Sequence, residues 1–166
     1  MEDFGSLIAI AEVAVAFAGF SALAGVISGS TTKSAIFDLE RLRTVVFTSL
    51  LAVGCALIPV VVNEFVESQV ALWQISSAIA FVLNLAVLIN AIRTGGASQL
   101  HQEDKIYTWA GYGIEVPIEI TVIAGALNLF PKYGAGLYLA FLLLLLFQSG
   151  LVFLLLITSI ISGQRQ

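Results

Sequence analysis

The sequence predicts an all-α protein, a polytopic transmembrane bundle of five helices with its amino terminus outside and its carboxyl terminus cytoplasmic. Three observations carry that expectation. Of the 166 residues 59% are hydrophobic and only 11% charged, against roughly 25% charged in soluble domains, and the mean hydropathy is +1.01. The apolar residues gather into five runs, Gly5 to Ser28, Thr44 to Asn63, Val70 to Ile92, Trp109 to Phe130 and Gly136 to Ile161, each near or above the ~20 residues a helix needs to cross a ~30 Å hydrocarbon core. With the amino terminus outside, the inner segments hold Lys33, Arg41, Arg43, Arg93, Lys105 and Arg165, and the outer ones only Lys132, a strong positive-inside bias. The chain then forms a single transmembrane domain, 1–166, with nothing of domain size outside the runs.

The first run contains IAEVAVAFAGFSALAGVISG, with Ala11, Ala14, Ala18, Ala22, Gly25 and Gly29 three or four residues apart. Such a stripe lets a neighbouring helix approach closely, so this face is expected to pack against protein. Glu12 lies beside the stripe, with Ala16 and Gly19 on its own side of the helix, and is expected to face the bundle or an oligomer interface. Alanines 14, 16 and 18 mimic a signal-peptide cleavage site, but the acidic start Met-Glu-Asp and the interrupting Glu12 argue for a retained helix.

The segment Thr31 to Arg43 reads as an inner loop ending in a solvated helical extension, with its arginines anchored at the headgroups. In the second run Thr44, Thr48 and Cys55 share a side. Pro59 has no N–H to give, so it releases the carbonyl of Cys55 and is expected to bend the helix. Cys55 is the only cysteine, which leaves no intrachain disulfide and no thiolate metal site. In the third run Trp73 marks an interface, and Ser77, Ala80 and Asn84 lie on one face, so Asn84 is expected to turn toward protein. The loop Thr94 to Lys105 carries the lone His101 beside Glu103 and Asp104, read as solvated because no further ligands stand at metal-site spacing.

The fourth run, WAGYGIEVPIEITVIAGALNLF, opens on Tyr107, Trp109 and Tyr112 as an interfacial aromatic belt. It places Glu115 and Glu119 one turn apart with Pro117 between them. Pro117 releases the carbonyl of Gly113, as broken helices do at transport sites, and is expected to kink the helix. The turn PKYGA makes the fourth and fifth helices antiparallel neighbours. In the fifth, FLLLLLF is lipid-facing in character and Gln148 breaks it near the middle.

At 1.5 Å per residue from the outer surface, Glu119 falls about 18 Å deep, Gln148 about 19 Å and Asn84 about 21 Å. Glu115 falls about one turn deeper and Glu12 about 10 Å deep, so the three acids descend in steps. No lysine or arginine lies well inside the runs to pair with them. The acids are therefore protonated, hydrated or visited by a cation. In the first case Glu119 would donate to Gln148 or Asn84; the other two suit a cation or proton path.

Other classes find little support. Seven basic residues and a net charge of −4 give no nucleic-acid footprint. Gly111-Tyr112-Gly113 matches the potassium-channel filter poorly: Trp109 and Ala110 replace its threonine and valine, no pore helix precedes it, and it lies on the wrong side. No catalytic motif or cofactor cradle is present, so neither enzyme activity nor a cofactor is expected. A proton-coupled carrier would call for paired half-repeats, and five helices show none.

The stretch IAEVAVAFAGFSAL, Asp38 and Arg41-Leu42-Arg43, Leu57-Ile58-Pro59 and WQISS of Trp73 to Ser77 together resemble a family of small, uncharacterised bacterial polytopic membrane proteins, over about the first half of the chain. The resemblance implies a bacterial inner-membrane location, and brings no activity or site residues. The functional expectation is a homo-oligomeric membrane protein giving monovalent cations or protons a path along Glu12, Glu115 and Glu119, with Asn84 and Gln148 in the polar cluster. The alternative is a non-conducting scaffold or accessory subunit whose acids are neutral packing elements and whose inner loops, chiefly Thr94 to Lys105, bind a partner.

Overall fold

The computed structural model describes residues 4–28, 34–93 and 113–163. All of its regular structure among the described residues is helical: α1 (Gly5–Ser28), α2 (Ser34–Val62), α3 (Gln69–Arg93), α4 (Ile114–Ala126), a single 3-10 turn at Pro131–Tyr133, and α5 (Gly134–Gly163). Among the described residues four helices are long and apolar enough to cross a membrane, over Gly5–Ala24, Arg41–Val62, Gln69–Asn90 and Pro131–Thr158. That architecture is compatible with a multi-pass membrane protein. The described part of α4 is 13 residues, about 20 Å long, which is short of a ~30 Å core. The expected aromatic belt at Tyr107, Trp109 and Tyr112, the first two residues of the GYG comparison, Gly111 and Tyr112, and the loop with His101 lie outside the described residues.

The helix ends follow from local chemistry. Ser68 caps α3, its hydroxyl accepting from the Ala71 N–H at 3.5 Å, while the Leu72 N–H donates to the Ser68 carbonyl. At the end of α4 the Asn128 N–H donates to the Gly125 carbonyl and the Leu129 N–H to that of Ala124, the paired bonds of a Schellman cap, with Asn128 in the left-handed region at φ 53°. The fourth helix thus stops at Ala126 rather than at Phe130 as the sequence led us to expect, because apolarity continues through Leu127, Leu129 and Phe130 past a backbone that has already turned. α5 in turn starts at Gly134, two residues before the expected Gly136.

α5 is the hub, packing on α2, α4, α1 and α3, while α1 pairs with α2 and α3 with α4. Its buried face runs through Tyr138, Phe141, Leu142, Leu145, Gln148, Ser149, Val152 and Leu156. This corrects the lipid-facing reading of FLLLLLF: Phe141, Leu142 and Leu145 are fully buried, and only Leu143 and Phe147 of its large side chains are exposed. A bundle interior in lipid is no more apolar than its outside, so leucine content does not tell one face from the other.

On α1 the buried residues are Leu7, Ile10, Ala11, Ala14, Ser21 and Ala24, a near-3.5 period that keeps one seam against its partners. The expected small-residue stripe holds at Ala11 and Ala14, but Ala22 is exposed and Ser21 takes its place. Opposite lie Ala52, Cys55 and Ala56 of α2, all without solvent exposure, small enough for close helix approach.

Pro59 sits inside α2, and the Cys55 carbonyl that it releases accepts a 2.6 Å hydrogen bond from the Tyr138 hydroxyl of α5. Trp73 and Phe141 flank Tyr138 with ring centroids 5.6 and 5.9 Å away. An orphan backbone acceptor is costly in a dry interior, and a tyrosine from the hub helix satisfies it. Ser49 and Ser149 share a buried 2.7 Å bond across α2 and α5. α3 and α4 meet closely at Gly125, where an added Cβ would lie 2.6 Å from the Ser77 hydroxyl.

We expect Gly125→Ala to lower thermal stability in detergent by about 1–3 kcal/mol through overpacking, and Ser77→Ala in the same chain to recover part of it, a coupling that a double-mutant cycle measures. Tyr138→Phe, which orphans the Cys55 carbonyl, should cost about 1–3 kcal/mol by the same assay.

Candidate functional site

The polar side chains of the last three helices converge. Asn84 of α3 is 2% exposed and Gln148 of α5 is 6% exposed. At 1.5 Å per residue they lie about 22 Å along α3 from Gln69 and about 21 Å along α5 from Gly134, well inside both helices. Glu115 and Glu119 project from α4 between them, both half-buried.

The Asn84 amide nitrogen donates to Oε1 of Glu115 at 2.7 Å and to Oε1 of Glu119 at 3.1 Å. The Gln148 amide nitrogen donates to Oε2 of Glu115 at 2.9 Å. Three of the four carboxylate oxygens therefore accept from neutral amides. The fourth, Oε2 of Glu119, is buried and has no hydrogen-bond partner among the described residues.

Local structure explains the arrangement. Glu115 and Glu119 stand one turn apart on one side of α4. Pro117 lies between them, and the carbonyl it releases is that of Gly113, whose backbone is itself helical. One turn on, the Thr121 hydroxyl donates back to the carbonyls of Pro117 and Ile118. Ile118 and Val122 are fully buried between the acids and Gly125, which fixes the rotation of α4 and aims both glutamates at α3 and α5.

The structure thus brings Asn84, Glu115, Glu119 and Gln148 together. Glu12 is not among them: it lies on the exposed face of α1, and α1 packs on α2 and α5. The three acids do not form one descending file through this protomer, because the face of α1 that packs inward is the one through Ala11 and Ala14. Of the two expected partners of Glu119, Asn84 is the one it meets, with the direction of the bond reversed. The amides donate and the carboxylates accept, and it is Glu115 that meets Gln148.

Ser77 was read from sequence only as a marker of the Asn84 face. It is 1% exposed, and its hydroxyl, like that of the buried Ser76, has no partner among the described residues. Two adjacent serines in an apolar helix were the available signal. Among the described residues no group of three or more His, Cys, Asp or Glu side chains is placed to hold a metal ion. Chemically the site is two carboxyl groups in an apolar bundle, hydrogen-bonded by uncharged donors.

No family model, no curated protein and no solved structure matches the chain.

Asn84→Leu removes both bonds that tie α3 to the acids. We expect it to lower the melting temperature in detergent, by a free energy of about 1–2 kcal/mol, whereas Asn90→Leu, nearer the end of α3, should cost less than half as much.

Proposed function

We propose that this is a small bacterial inner-membrane protein that assembles as a homo-oligomer and passes protons or monovalent cations across the bilayer through the Glu115–Glu119 pair. In this reading the segment Trp109 to Phe130 is the fifth span, the amino terminus is outside and the carboxyl terminus cytoplasmic. The positive-inside bias of the lysines and arginines supports this placement.

The observation that carries the reading is the pairing of two half-buried carboxyl groups within an apolar bundle, which share one amide donor and have no lysine or arginine in the runs around them. An ionised carboxylate pair in such surroundings is strongly disfavoured. The like charges oppose each other, and neutral amides offset only part of that repulsion. A proton or a cation is the natural third member, and a site that takes one up at mid-depth is what a conduction path uses. Glu12, on the exposed face of α1, is then assigned to the contact between protomers, where the small residues Ala16 and Gly19 leave room for a neighbouring helix.

A second reading is favoured by the completeness of the bonds at Glu115, whose two oxygens are both satisfied. Here the cluster is a lock that fixes the register of α3, α4 and α5 in a non-conducting scaffold, and a partner docks on the cytoplasmic loops.

The two readings part in reconstituted vesicles. We expect Glu119→Gln and Glu115→Gln each to reduce proton or cation flux by at least tenfold while the protein still assembles. Undiminished flux in both variants, with Glu→Leu at the same positions disrupting assembly, supports the scaffold instead.

A further inference from the structure

We infer that Ser49 and Ser149 are positioning residues for the carboxyl pair: their bond across α2 and α5 sets the rotation of α5 and thereby keeps the Gln148 amide on Glu115. The inference rests on the preceding reading of the pair as the functional site, and extends that site to α2, which carries neither the acids nor their amide donors.

Gln148 and Ser149 are consecutive, and consecutive residues point about 100° apart around a helix axis. One level of α5 therefore faces two ways. Through Gln148 it reaches α4, the amide nitrogen donating to Oε2 of Glu115 at 2.9 Å. Through Ser149 it reaches α2, where the hydroxyls of Ser149 and Ser49 lie 2.7 Å apart and the Ser149 hydroxyl also donates to the Val45 carbonyl at 3.4 Å. Its single hydrogen is engaged by Val45, so Ser49 is the donor of the shorter bond. Both serines are buried, at 0% and 1% exposure, and their bond survives only within the narrow range of hydrogen-bond geometry.

Apolar packing does not supply the same constraint. The stretch of α5 before Gln148 is a run of leucines, Leu142 to Leu146, so a rotation exchanges one leucine for another at the seam. In lipid the displaced one loses no hydrophobic stabilisation. The carboxyl pair is sensitive to that rotation. Side-chain tips lie about 5–6 Å from a helix axis, and turning α5 by ~20° carries the Gln148 amide about 2 Å, beyond bonding distance of Glu115. Of its two amide bonds Glu115 would then keep the one from Asn84, at 2.7 Å.

A second tie between the same two helices acts differently. The Tyr138 hydroxyl donates to the Cys55 carbonyl at 2.6 Å, about 16 Å along α5 from Ser149. That hydroxyl stands at the end of a long side chain whose torsions can follow a turning helix. A serine hydroxyl lies one bond beyond Cβ and moves with the backbone. Tyr138 therefore holds α2 to α5, whereas the serine pair holds α5 at one rotation, at the level where the rotation matters.

The test reads the infrared absorption of the Glu115 carboxyl group, identified as the band lost in Glu115→Gln, in the full chain reconstituted in vesicles of phosphatidylethanolamine and phosphatidylglycerol. Gln148→Leu, which deletes the amide bond, sets the size of the shift. Ser49→Ala and Ser149→Ala should each move the band in the same direction by about half as much or more. Neither should move it further in the Gln148→Leu background, since both act through that amide. Tyr138→Phe should lower the melting temperature in detergent and leave the band in place. A band unmoved in both serine variants overturns the inference, as does a shift that adds to that of Gln148→Leu or that Tyr138→Phe reproduces. Proton or potassium flux into the same vesicles should fall about threefold or more in each serine variant, and wild-type flux in both, where Glu115→Gln conducts nothing, also overturns it. If Glu115→Gln and Glu119→Gln conduct as well as wild type, the conduction reading fails, and the band shifts alone decide the positioning role.

Discussion

Two acidic side chains, Glu115 and Glu119, stand half-buried among apolar helices with only neutral amides bonded to them among the described residues, and the arrangement of the last three helices answers that constraint. Asn84 and Gln148 supply uncharged N–H groups from two different helices, so the acids bind α4 to both α3 and α5. Because α5 also packs on α1 and α2, the register of the whole bundle is linked to this one cluster. A hydrogen bond of this kind is worth only about 0.5–2 kcal/mol within a membrane. Its larger effect is on specificity: any rotation of α4 that removed the acids from the amides would leave them facing hydrocarbon.

The same rule of satisfying polar groups runs through the rest of the interior. The carbonyl released by Pro59 meets the Tyr138 hydroxyl, and Ser49 meets Ser149. The Asn128 cap closes α4. Against that background, Oε2 of Glu119 and the hydroxyls of Ser76 and Ser77 are buried and make no hydrogen bond among the described residues.

Much of this was legible in the residues themselves. Apolar run length gave four of the spans within a few residues, and the 3.6-residue period put Asn84 on the buried face with Ser77 and Ala80. Pro59 pointed to the Cys55 carbonyl before its partner was known. Depth arithmetic brought Asn84, Glu119 and Gln148 to one level with Glu115 one turn away, and the long side chains span that turn: Asn84 meets both acids and Gln148 meets Glu115. What could not be read was which face of α1 and α5 looks inward, since alanine and leucine serve equally well against protein and against lipid. That is why Glu12 was grouped with acids it does not meet, and why a buried leucine run was assigned to the lipid face.

The central claim is that the Glu115–Glu119 pair holds a proton of its own in the folded bundle. Infrared difference spectroscopy of the reconstituted protein at neutral pH, with hydrogen exchanged for deuterium, reads it directly. We expect one carboxylic acid carbonyl band, sensitive to the exchange, that disappears in Glu119→Gln and shifts in Asn84→Leu. A spectrum in which both side chains absorb as carboxylates, or a band that persists unchanged in Glu119→Gln, would contradict it.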